Sequence, residues 1–147
     1  MREPLAARIQ RLLDVEAALA DAEADAGVIP RASAEAIRSA ASSESYDAAA
    51  LESEAARAGT IVIPLVAALT RRVAERNPVA AGHVHLGATS QDILDTALVL
   101  LLRRAGTLLV TDLTRAERAC ADLARTHRDT PMVARTLGQQ ALPTTFG

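Results

Sequence analysis

The residues best suited to do chemistry lie at 82–96, GHVHLGATSQDILDT. Thr89 and Ser90 stand where a loop must turn into a helix, with His83 and His85 just upstream and Asp92 and Asp95 in the first turns. A helix start presents unpaired backbone N–H groups and the positive end of the helix dipole, so it suits a carboxylate. Thr89 and Ser90 add hydroxyl donors and Gln91 an amide, a set aimed at oxygens on which negative charge grows. The same T-x-x-D spacing also describes a plain capping box, in which Asp92 caps or orients the helix. His85 is open to two readings. An imidazole with an ordinary pKa of about 6.5 suits substrate contact or proton transfer, and hydrogen bonds from the same ring would simply hold the loop. His83 reads as a loop residue, and His127 as a surface group compatible with a helix C-terminus.

A second informative stretch covers 130–147, TPMVARTLGQQALPTTFG. Arg135 and Thr136 suit a further carboxylate, which a guanidinium grips with two parallel bonds. Gln139 and Gln140 are amide donors. No H-x-x-x-H spacing or carboxylate cluster points to a metal, and no organic cofactor is expected. The single Cys120 makes no internal disulfide and reads as a small core thiol.

The elements that position these groups are predicted to be helices. Half of the 147 residues are hydrophobic, 23% are charged and only 1% aromatic, so Ala, Leu, Val and Ile must fill the core. That composition favours close-packed helices over a β-sandwich. A net charge of −2 provides no basic field for nucleic acid. Met1, Arg2, Glu3 and Pro4 form no apolar leader. The uncharged stretch 59–70 is shorter than the roughly 20 residues a bilayer span needs. No membrane partner and a cytoplasmic location are therefore expected.

Apolar periodicity predicts a first helix over 5–26, stopped by Gly27 and followed by Pro30. Ser33 is read as the cap of a short helix to about residue 41, and a third helix over 45–58 ends at Gly59. The run 60–75 is apolar and turns basic at Arg71 and Arg72, with Pro64 about one turn in, where it costs least. Asn77-Pro78 and Gly82 mark the loop that carries the histidines. One long helix follows from 90 to about 127, roughly 55 Å in length at about 1.5 Å per residue. Its stripe is so wide that 97–102 is apolar all round, which suits the centre of a bundle or a subunit interface. Asp129-Thr130-Pro131 breaks it, and the remainder reads as loop or short strand. The abrupt ends suggest the front part of a larger protein.

GATSQDILDTALVLLLR resembles the first shared region of the fumarase/aspartase superfamily, and RTLGQQALPTTFG is similar to the second. LLDVEAALADAEADAGVIP and GTIVIPLVAALTRRV resemble the first and the next apolar helices of the branch that holds adenylosuccinate lyases and 3-carboxy-cis,cis-muconate cycloisomerases. The resemblance implies an all-α fold. Residues 1–88 would be an N-terminal helical domain, and 89–147 the start of the central long-helix bundle. It also implies a homotetramer at full length, with active sites built from several subunits. The substrate would be a small polycarboxylate, and the chemistry an elimination or addition through an aci-carboxylate. The catalytic role falls on His85, and substrate binding on Thr89, Ser90, Gln91, Arg135, Thr136, Gln139 and Gln140. Nothing in the chain matches the family's glycine-rich loop with a catalytic serine, so the chain by itself is expected to be inactive. Leu137 stands where the adenylosuccinate branch has a histidine for acid–base work. An amine leaving group needs a proton, whereas a carboxylate leaves as the anion, so leucine favours lactone chemistry over C–N cleavage. The alternatives are another carboxylate lyase of the superfamily, or a non-catalytic helical fragment that only associates.

Overall fold

The structure, a computed structural model, describes residues 4–147; Met1, Arg2 and Glu3, on which the leader expectation above partly falls, lie outside the described residues. The chain forms two units, one up to Leu100 and one from Leu101. Helices α1 (Leu5–Asp25), α2 (Arg31–Ala40), α3 (Ala48–Ala58), α4 (Val62–Ala74) and the short α5 (Pro78–Ala81) belong to the first unit. Helix α6 (Ser90–Thr126) runs on into the second, which ends in strands β1 (Pro131–Thr136) and β2 (Gln139–Thr145). The all-α expectation holds, apart from this one hairpin. Among the described residues no helix is long and apolar enough to cross a membrane.

Helix α1 ends as its sequence dictates. Gly27 takes a positive φ of 73°; its N–H reaches the Ala24 carbonyl at 3.1 Å and that of Val28 reaches Glu23 at 2.8 Å, the paired bonds of a Schellman stop. Ile9, Leu12 and Leu13 of α1 meet Ile37 of α2, Leu51 of α3, and Val62, Leu65, Leu69 and Val73 of α4 in one aliphatic core. Pro64 lies in the first turn of α4, where a missing N–H interrupts no helical bond. Ile93 and Ala97 of α6 close the core from the far end of the loop.

Two cap readings are corrected. Ser33 is buried inside α2, which starts at Arg31 behind Pro30, because a fixed proline φ suits the entry to a helix as well as a side-chain cap does. Helix α3 starts at Ala48, and not near Ser45, because Asp47 accepts hydrogen bonds from the Ala49 and Ala50 N–H groups at 3.0 Å each. Residues Ser43–Ser45 form a single 3-10 turn instead.

In the second unit α6 presents Leu102, Leu108, Leu109 and Leu113 to the surface. Cys120 is exposed, so the core-thiol reading is also corrected: its alanine neighbours continue a helix, but no element among the described residues packs over that face. Strands β1 and β2 pair antiparallel through a two-residue turn at Leu137-Gly138. Both turn residues have positive φ (48° and 74°), as a type I′ turn matching strand twist requires. His127 is half-buried and not a bare surface group, since the Phe146 ring meets it edge-on at 5.4 Å.

Candidate functional site

The first unit gathers chemistry-bearing side chains from four elements. Helix α1 supplies Glu16 and Glu23, two turns apart and so on one face. Helix α2 supplies Ser33. Asn77 caps α5 by accepting the Ala80 N–H at 3.1 Å, which starts the turn 82–87 that carries His83 and His85. The start of α6 supplies Thr89–Asp92 in direct continuation.

His85 is anchored. Its Nδ1 lies 2.7 Å from Oε1 of Glu16. Glu16 is 1% exposed and the His85 side chain 18% exposed, so the pair sits at the edge of the core with the ring toward the outside. His85 also takes a left-handed φ of 59°, two residues before Gly87 at 69°. That backbone region costs a non-glycine residue roughly 1–2 kcal/mol, although histidine enters it more readily than most. Burial raises the Glu16 carboxyl above its usual range; the attraction and hydrogen bond of His85 offset this only in part, and the nearby Glu23 adds to the rise. Glu23 is also raised by burial and lowered by His83 and His85. His83 Nδ1 meets Ser33 Oγ at 3.0 Å, so the buried serine ties the loop to α2.

Thr89 and Asp92 form the cap. The Thr89 N–H donates to Asp92 Oδ2 at 2.8 Å and its hydroxyl donates to the same oxygen at 3.0 Å. These two bonds hold the Asp92 carboxyl below its ordinary range. Gln91 donates to Asp95 at 2.7 Å, one turn along. Ser90 is the first helical residue and half-buried. His85 and Thr89–Gln91 therefore share one loop-to-helix junction.

The remaining predicted residues lie in the hairpin of the second unit. Arg135 pairs with Gln140 and Thr136 with Gln139 across the two strands, directly beneath the turn. Arg135 is exposed, and Leu137, at the tip, is 97% exposed. Among the described residues there is no group of three or more His, Cys, Asp or Glu side chains that could hold a metal ion.

Glu16 falls on the buried face of α1 with Ile9, Leu12 and Leu13, and sequence reasoning gave it no role. A carboxylate at a core position is itself the signal, because buried charges are paired. The partner, 69 residues on, could not be read from α1 alone.

Comparison with known proteins sets this geometry in a family. A family model described as Lyase matches residues 2–147. A 3-carboxy-cis,cis-muconate cycloisomerase of Bradyrhizobium diazoefficiens is 53% identical over 139 residues, covering 95% of this chain and 31% of the relative. A nitrosuccinate lyase of Streptomyces davaonensis is 48% identical over 142 residues, covering 97% of this chain and 30% of the relative. The crystal structure of a 3-carboxy-cis,cis-muconate lactonizing enzyme from Pseudomonas putida superposes with a TM-score of 0.89 at 48% identity, over 94% of this chain and 31% of that one. The chain thus spans about a third of the length of the relatives it matches. The match along nearly its whole length shows that the chain belongs to this lyase family.

Proposed function

We propose that the chain is the N-terminal part of a 3-carboxy-cis,cis-muconate cycloisomerase. The identity of 53% to a relative of that name carries the reading. In the proposed reaction a substrate carboxylate oxygen adds to a carbon–carbon double bond within the molecule, and the neighbouring carbon takes a proton. The product is a carboxylated lactone. The reverse direction removes that proton, places the charge on an adjacent aci-carboxylate and expels the ring carboxylate. Donors that strengthen toward the charged state accelerate such a step.

The residues have corresponding tasks. Ser90 and Gln91 at the start of α6, with the Thr89 hydroxyl, receive one carboxylate, and Asp92 keeps that helix start in shape. Arg135, Thr136, Gln139 and Gln140 on the hairpin receive another. His85 meets the substrate at the reacting end. Leu137 provides no proton, in keeping with a leaving carboxylate, whose ordinary pKa of about 4 lets it depart as the anion. The boundary near residue 88 separates a supporting helical domain from the bundle that brings in the substrate. The full-length enzyme is a cytoplasmic homotetramer of aromatic catabolism that uses no metal or organic cofactor, and its serine loop lies outside these residues.

A second reading draws on the nitrosuccinate lyase, whose identity is only slightly lower. It assigns the same carboxylate donors to elimination from a substituted succinate. Ultraviolet loss of 3-carboxy-cis,cis-muconate separates the two. Turnover by a full-length chain carrying these residues, with none by the 147-residue chain alone, supports the cycloisomerase. No turnover by either, with activity of the full-length chain on nitrosuccinate, supports the second reading. Activity in the short chain contradicts the role given to the serine loop.

A further inference from the structure

We propose that Glu16 is a positioning residue for His85: its buried carboxylate accepts the Nδ1–H, fixes the ring in that tautomer, and leaves Nε2 as the ring nitrogen open to a ligand. The inference deepens the reading above and rests on His85 being the imidazole that meets the substrate.

Four observations carry it. The Nδ1–Oε1 separation is 2.7 Å, a short hydrogen bond. Glu16 lies on the apolar stripe of α1 at 1% exposure, where a leucine would complete the same packing without desolvating a charge. Its Oε2 is buried with no hydrogen-bond partner among the described residues, so the carboxylate's one polar contact there is the imidazole. Finally, His85, whose ring meets that carboxylate, holds a left-handed backbone at φ 59°, a conformation costly for a non-glycine residue. A group kept at such cost orients something. With Nδ1 occupied, the lone pair on Nε2 is the ring's remaining acceptor. A proton arriving there would produce an imidazolium beside a carboxylate already in place. Glu23 acts on both members of this pair and Asp92 acts on His85, while His83 acts on Glu23. His83 has its own partner in Ser33.

The tautomer can be read directly, without any activity. The chain has three histidines, so nitrogen-15 labelling of histidine alone produces a spectrum simple enough to assign with His83→Gln and His127→Gln controls. At about pH 8, well above the ordinary imidazole pKa of about 6.5, long-range proton–nitrogen correlations distinguish the Nδ1–H from the Nε2–H form. The expected result is Nδ1–H for His85, the less common form in free imidazoles. Glu16→Gln should release it toward Nε2–H or a mixture, while Glu23→Gln leaves it unchanged. An Nε2–H or doubly protonated His85 in the unaltered chain would overturn the proposal. So would an equal response to Glu23→Gln. Because no substrate is present, a failure here is distinct from a failure of the cycloisomerase assay.

Discussion

Two stretches built from the same aliphatic residues meet opposite fates. In the unit up to Leu100, leucines and isoleucines fill a closed core: Leu13, Leu65 and Leu69 are 0% exposed. In the unit from Leu101, Leu108, Leu109 and Leu113 are each more than 60% exposed on one helix. Hydrophobicity alone therefore does not decide burial; the number of elements that can pack on a face does. The first unit has five helices and the start of a sixth around a common centre. The second has the rest of α6 and one hairpin, and two strands with one helix cannot enclose a core of any size. The first unit also contains polar exceptions to its own rule, the Glu16–His85 pair at the edge of the core and the buried Ser33.

Substitutions that remove one side of this contrast should differ widely in size. The largest effect is expected from His85→Leu, which leaves the Glu16 carboxylate buried without its partner and costs about 3–5 kcal/mol. Urea unfolding should show the loss, and a shift below about 1 kcal/mol would mean that Glu16 is readily neutralised there. Leu65→Ala comes next, at about 2–5 kcal/mol, from lost burial and the cavity left among α1, α3 and α4. A value near zero would show that the core is looser than its contacts imply.

Asp92→Ala should produce a smaller loss with a distinctive pH dependence. Thr89 lowers the folded pKa of Asp92 below its ordinary 3.8. The unfolded state then binds the proton first as pH falls, so the stabilisation is complete above the ordinary value and disappears as pH drops through the lowered one. The difference between parent and variant in urea midpoint should be present at pH 7 and shrink below about pH 4. A difference undiminished at low pH would assign the effect to helix propensity instead of charge.

The smallest stability change is expected from Leu109→Ala in α6, within about 0.5 kcal/mol, since that side chain is already in solvent. Its association should change more. Light scattering across a concentration series should show the chain self-associating through this face, and Leu109→Arg should move it toward smaller species. A clean monomer at every concentration would break the contrast, because the exposed leucines would then have no tendency to pair.

Much of this architecture was legible in the residues themselves. The ends of α1 and α3 followed from Gly27 and Gly59, and the length of α6 from its sustained apolar stripe. The junction at Thr89 followed from a hydroxyl and an acid at capping distance. These are local matters, decided by backbone conformation and by hydrogen bonds a few residues apart, so a linear string contains them. The starts of α2 and α3 were misread because two local solutions competed at each: a serine cap against Pro30, and Ser45 against Asp47. The hairpin was hidden because RTLGQQ puts a leucine at a turn position that usually announces itself with asparagine or glycine.

What the sequence by itself determined was the helical class, the order of the elements, and which residue types stand at the start of α6. The tertiary structure alone decided that Glu16 faces His85 and that Ser33 serves His83. It also decided that the leucines of α6 stay uncovered within this chain. Each of these joins or separates residues far apart in sequence, and such contacts depend on how helices pack, which no local pattern encodes.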